Sequence, residues 1–204
     1  MAEELREGLE RVYILLDKLY ASVSRVYSAV LSLSNENVNR KGVHHYVNEA
    51  TELCEELKNQ VTREAVLFIA RFQPLGEELL AAENAIKASY DLYRITRYLR
   101  EIVHLDKKIG PLYSLLKEED WRLLELTRDM LVKTYDFFRR GEGDPLEIAG
   151  IDDEIDSAYE EILTVLASKE VVPKHDAVRA LYRRHVERIA DHIIYMLTRI
   201  PWQQ

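Results

Sequence analysis

Apolar residues recur along this chain at steps of three and four almost from end to end, the period of helices that bury one face. Leu9, Val12, Leu15/Leu16, Leu19, Val23, Val26/Tyr27 and Val30 predict a first helix over residues 3–33. Residues 32–42 are rich in cap and turn formers and interrupt the pattern. A second helix is predicted over 43–72, carried by Val47, Leu53/Cys54, Leu57, Val61, Ala65/Val66 and Ile69. Gln73-Pro74 ends it, because proline disfavours the α conformation in the residue before it. A third helix follows over 75–105, and Asp106-Lys-Lys-Ile-Gly-Pro111 punctuates the chain near its midpoint. The fourth helix is predicted over 112–140. The fifth, over 145–168, has Asp144 as cap and Pro145 at its first position. The sixth covers 174–200 and stops at Pro201.

Six helices in two groups of three, with similar lengths and the same order of breaks, predict an all-α protein of two tandem three-helix bundles. The expected units are residues 1–105 and 106–204, related by an internal duplication. Leu92-Tyr-Arg-Ile-Thr-Arg97 takes the place in the third helix that Val186-Glu-Arg-Ile-Ala-Asp191 takes in the sixth. Only 7 Gly and 5 Pro among 204 residues are too few for a turn-rich β protein. The formal charge of −8 argues against a nucleic-acid binder, which needs a basic face for phosphates, and against adsorption to anionic lipid. The longest apolar run, residues 65–70, is far short of the ~20 residues of a membrane span. The acidic N-terminal stretch does not read as a signal peptide. One cysteine, Cys54, permits no intramolecular disulfide and suits a reducing compartment, so a cytoplasmic location is expected.

Candidate chemistry lies in two acidic pairs. Glu187 and Asp191 stand four apart on the sixth helix, beside the stripe formed by Ile189, Ile193, Met196 and Ile200. At about 100° per residue they point roughly away from that stripe. Asp152 and Asp156 repeat the spacing on the fifth helix, at the edge of Ile148, Ile151, Ile155, Tyr159, Ile162 and Leu166. Antiparallel packing of these helices brings four carboxylates onto one patch, and such a patch repels itself unless a cation neutralises it. Oxygen ligands suit magnesium, calcium, manganese or iron better than structural zinc. Acid pairs at this spacing are also what a solvated helix face carries, and Glu187 can pair with Arg184 or Arg188. Spacing alone leaves both readings open.

Three stretches bear on the choice: Ile69-Ala-Arg-Phe-Gln-Pro74, Ile151-Asp-Asp-Glu-Ile-Asp156 with Tyr159, and Val186-Glu-Arg-Ile-Ala-Asp191. In these, and over nearly its whole length, the chain resembles the PhoU family of phosphate-uptake regulators. The resemblance implies two tandem three-helix bundles with an acidic motif on the outer surface. It implies ligation of a divalent or iron ion, with iron, zinc and magnesium as candidates, by Asp152, Asp156, Glu187 and Asp191. It implies regulation by contact, not catalysis: restraint of a phosphate ABC transporter, a link to a sensor kinase, and a homodimer that reaches the membrane only through the transporter. The first half departs from the motif. Tyr93 and Arg97 replace Glu187 and Asp191, and Thr51 and Glu55 replace Asp152 and Asp156. One metal patch is therefore expected, with Arg97 pairing to Glu52 or Glu55 in place of the other.

The remaining motifs are weaker. Glu101-Ile-Val-His104 has the Glu-x-x-His spacing of di-iron bundles but lacks a second copy. His185 and His192 read as packing histidines, His192 with a subsidiary reading as an accessory ligand, and His44-His45 as exposed and inert. Glu52, Glu55 and Glu56 around Cys54 are expected to raise its pKa, leaving it a small core residue. The rival readings are a metal-free helical adaptor and a carboxylate-bridged, ferritin-like metalloenzyme.

Overall fold

The computed structural model describes residues 2–198. Its helices are α1 (Ala2–Leu31), α2 (Arg40–Phe72), α3 (Glu77–Ile109), α4 (Glu118–Arg140), α5 (Pro145–Ala167) and α6 (Lys174–Thr198), with short 3₁₀ turns at Ser32–Ser34 and Leu112–Ser114. No strand occurs among the described residues. Ile200 and Pro201, the expected end of the sixth helix, lie outside them.

The helix ends have local causes. Arg40–Gly42 belongs to α2, three residues ahead of the expected start, because the Asn39 side chain accepts the Gly42 N–H. At the other end Gln73 adopts a left-handed conformation, φ 45°, and returns its N–H to Ile69 O, so Pro74 never has to enter the helix. Helix α3 overruns its expected end by four residues and stops at Gly110, where φ is 133°. Leu112, the expected start of α4, lies in a 3₁₀ turn; α4 begins at Glu118, where the Asp120 carboxylate accepts the Lys117 N–H. Asp144 caps α5 through Leu146 N as the sequence predicts.

Helices α1, α2 and α3 pack on one another, as do α4, α5 and α6. The halves are unequal: 30, 33 and 33 residues against 23, 23 and 25. Two further contacts, α3 on α6 and α1 on α4, join the bundles and merge their apolar residues into one core. Within α1, Val12, Leu16, Leu19, Val23, Val26, Tyr27 and Val30 of the predicted stripe are fully buried, and Leu9 and Leu15 pack partly buried at its edge. Where α1 meets α4, Tyr20 stacks on Tyr135 and Asp17 takes hydrogen bonds from Tyr135 Oη and the Arg139 guanidinium.

Because α6 is enclosed by α3, α4 and α5, more than one of its faces is covered. Polar residues are buried with the apolar ones. Asp120 is fully buried, holding Arg179 Nε at 2.7 Å and Arg183 Nε at 2.7 Å. His192 Nδ1 lies 2.9 Å from Asp91 Oδ1 across the α3–α6 seam, which turns it toward the other bundle and away from α5. Asp106, at the end of α3, receives Arg40, His44 Nε2 at 2.8 Å and the Leu112 N–H. His44 is thus a half-buried anchor of the junction between the halves, contrary to its expected exposure. Of that pair His45 is the exposed one, beside Glu49.

Candidate functional site

The four candidate carboxylates come from the facing flanks of α5 and α6, joined by residues 168–173. Ile148, Ile155 and Ile162 pin α5 down, which leaves Asp152 half-buried at the contact edge and Asp156 exposed one turn later. On α6, Ile189, Ile193 and Met196 face inward. Glu187 and Asp191 do not point into open solvent as the helical projection suggests, because α5 covers this second face; their side chains are 14% and 26% exposed.

The electrostatics bear the marks of convergence. Burial, then the charges of Asp156, Asp191, Asp153 and Glu187, push the Asp152 carboxyl up to about 6. Asp156 is raised by burial and then by Asp191, Asp153 and Glu160. Glu187 is also raised, by burial and Asp191, against the opposing charges of Arg184 and Arg188. Asp152 Oδ1 is enclosed and accepts no hydrogen bond among the described residues. Two arginines relieve part of the repulsion: Arg184 Nη1 reaches Glu187 at 2.6 Å, and Arg188 pairs with Asp191. With Glu187 and Asp191 turned to these partners, no three His, Cys, Asp or Glu side chains among the described residues are gathered around one ion-sized point. The donors nevertheless fit a hard cation in type, being all oxygen, only partly relieved in charge and including one orphaned buried atom.

The equivalent place on the first bundle is built differently. Thr51 is buried and hydrogen-bonds Val47 O within its own helix. Tyr93 is raised by burial and by the charge and hydrogen bond of Glu55, while Lys58 lies over its ring at 5.1 Å. The expected Arg97 pairing with Glu52 or Glu55 does not form among the described residues; Glu55 raises and Arg97 lowers the Tyr93 hydroxyl instead.

Other candidates resolve simply. Glu101 and His104 form a partly exposed pair at 3.4 Å with no second Glu-x-x-His. Cys54 is raised by its own burial, while hydrogen bonds with Thr96 and Ser22 lower it, so its glutamate neighbours are not the cause. Sequence reasoning missed the Asp120–Arg179–Arg183 cluster. Its signal was available: Arg179 and Arg183 stand four apart in step with Val186, on a buried face.

The molecule is thus of the class of all-α proteins built from paired three-helix bundles, with an acidic strip on the flank of the second. Compared by sequence, the chain matches no family model and no curated protein. Compared by structure, it superposes on PhoU from Pseudomonas aeruginosa with a TM-score of 0.82 at 19% identity, over 95% of each chain. It superposes on the phosphate transport system regulatory protein PhoU from Streptococcus pneumoniae with a TM-score of 0.76 at 18% identity, over 96% of this chain and 94% of that one. The fold is the PhoU fold. No helix among the described residues is long and apolar enough to cross a membrane.

Proposed function

We propose that this protein regulates phosphate uptake by contact with the components of a phosphate ABC transporter, restraining transport, and that it performs no catalysis. The observation that carries this reading is the superposition on two PhoU proteins over both bundles and about 95% of the chain. The proposal extends to a cytoplasmic homodimer that reaches the membrane through the transporter and signals to a sensor kinase. Deleting the gene is expected to raise phosphate accumulation by whole cells, and the intact chain to restore restraint and to co-purify with the transporter. Unchanged accumulation and no co-purification refute the reading.

Within that proposal Asp152, Asp156, Glu187 and Asp191 hold a divalent or iron ion. The ion would neutralise the strip and cross-link α5 to α6, drawing Glu187 and Asp191 away from Arg184 and Arg188. Support comes from the raised carboxyls and the orphaned Asp152 Oδ1. The arginine pairs favour a second reading, a metal-free adaptor in which Arg184 and Arg188 are the permanent counter-ions. Elemental analysis beside the Asp156→Ala/Asp191→Ala variant separates the two. Near-stoichiometric metal lost in the variant supports the site; metal-free protein that resists reloading supports the adaptor. A ferritin-like oxidase gains no support, since the strip lies on a bundle flank with Asp156 exposed rather than in a shielded interior.

A further inference from the structure

Beyond the acidic strip, where α5 ends and α4 and α6 begin, the second bundle holds a cleft of about 290 Å³. Ile162 and Val165 supply its apolar wall, and Lys117 and Lys169 stand on its rim. Its polar wall is Arg179 and Arg183, whose side chains are only 8% and 3% exposed. Both guanidiniums are oriented from behind by Asp120, through Nε contacts of 2.7 Å each. Arg183 Nη1 also donates to Ala158 O at 2.7 Å.

Three carboxylates meet the two guanidiniums of this wall, one of them buried and two on the rim. Asp120, fully buried, is a permanent partner but carries one negative charge for two guanidiniums. The second positive charge is met from the rim, by Glu119 on both arginines and by Glu161 on Arg183 at 3.2 Å. These glutamate side chains are 56% and 73% exposed, on stems that solvent can claim without disturbing the core. Asp176, the other acid in the cleft, is engaged by Lys169 and His175. The donors are therefore buried, and two of their acceptors are exposed to solvent. An ion-pair network alone has no use for the adjoining space, which equals roughly ten waters and sits at the small end of ligand pockets. A multiply charged oxyanion replaces two single carboxylates with several acceptors on one rigid group, which is what planar guanidinium forks match best.

We propose that this cleft binds a small phosphate-bearing polyanion, with Arg179 and Arg183 as oriented donors, Lys117 and Lys169 closing over it, and Glu119 and Glu161 as side chains it displaces. The inference stands apart from the regulatory reading, because its test needs only the purified chain and no transporter.

The experiment is isothermal titration of chelator-treated, full-length protein with pyrophosphate, and separately with orthophosphate. Pyrophosphate is expected to bind, more tightly than orthophosphate. The Glu119→Gln/Glu161→Gln variant should bind it about tenfold more tightly, because the competing carboxylates are gone, and Lys117→Ala/Lys169→Ala about tenfold more weakly. Glu49→Gln, an exposed acid on the first bundle, should leave affinity unchanged. No binding by either wild type or Glu119→Gln/Glu161→Gln overturns the proposal. Binding that ignores both cleft variants, or that Glu119→Gln/Glu161→Gln weakens, overturns it equally, because the anion then lies elsewhere or needs the glutamates.

Discussion

Replacing Asp120 by asparagine is the sharpest perturbation of the second bundle. Asn is nearly isosteric and keeps one carbonyl oxygen, so the cap on Lys117 N survives in kind; what disappears is the charge between Arg179 and Arg183. Asp120 is completely buried, and both guanidiniums that it holds are less than a tenth exposed. Without that charge the two buried guanidiniums keep only the exposed Glu119 and Glu161 as counter-ions, and breaking such a buried cluster costs roughly 3–5 kcal/mol. An exposed pair such as Arg122–Glu154, 69% and 52% exposed, belongs to the class worth about 0–1 kcal/mol. At about 2–4 °C per kcal/mol for a chain of this size, Asp120→Asn should lower Tm by roughly 6–20 °C, and Glu154→Gln by a few degrees at most. Urea titration followed by the fluorescence of Trp121, the buried neighbour of Asp120 packed edge-on to Tyr182, gives the free energy from the affected bundle. A loss no larger than that of Glu154→Gln would refute the claim that α4 and α6 are tied by this charge. The triple variant Asp120→Leu/Arg179→Met/Arg183→Met should recover most of the loss, since an apolar cluster of similar volume avoids the desolvation of three ions.

Three further outcomes are expected. The Asp152 carboxyl is raised to about 6 from an ordinary 3.8, so the proton favours the folded state. Its stabilising contribution is complete below the unfolded value and is lost as pH rises through 6. Asp152→Asn should therefore raise Tm near neutral pH in chelator, with the gain closing below about pH 4; a loss of Tm at neutral pH contradicts the repulsion. Gln73→Gly relieves a left-handed residue (φ 45°) and should stabilise by about 0.5–1 kcal/mol; denaturant titration giving a loss of that size would mean the Gln73 side chain matters more than its backbone. Asp106→Ala strands Arg40, His44 and the Leu112 N–H at once and should cost roughly 3–5 kcal/mol; a cost under 1 kcal/mol by urea unfolding rules out a clamp between the halves.

Much of the fold was legible because a helix that buries one face must repeat its apolar residues at 3.6, and α1 does so without exception. Boundaries were less legible where a single residue has two uses. Gly42 reads as a breaker, yet its N–H is the one that Asn39 caps. Leu112 reads as the start of the fourth helix, yet it sits in a 3₁₀ turn and its N–H is held by Asp106. Buried polar residues were the systematic blind spot. Counting apolar positions places Asp91, Asp106, Asp120, Arg179 and Arg183 outside by definition, and each is nine-tenths buried with a partner from another helix. For the acidic strip, spacing put each pair on one face. It could not say that α5 and α6 would bring the pairs together; the Arg184–Glu187 pair was among the expected readings, whereas Arg188 turns to Asp191.

The two halves of the duplication differ in a way that bears on the strip. In the first bundle the local charge conflict is smaller: Thr51 is neutral and buried, Tyr93 and Arg97 stand in place of two carboxylates, and Lys58 lies over the Tyr93 ring. In the second bundle the carboxylates stay close enough to raise one another, with two arginines offsetting only part of the repulsion. If bundle stability were the sole demand on α5 and α6, the relieved arrangement of the first half would serve the second as well, and a fold already containing that solution has a direct route to it. Carboxylates held this close, with their repulsion only partly offset, cost the folded state stability. On the proposed reading, the first bundle is a standing scaffold, and the second is the half whose rigidity depends on an ion.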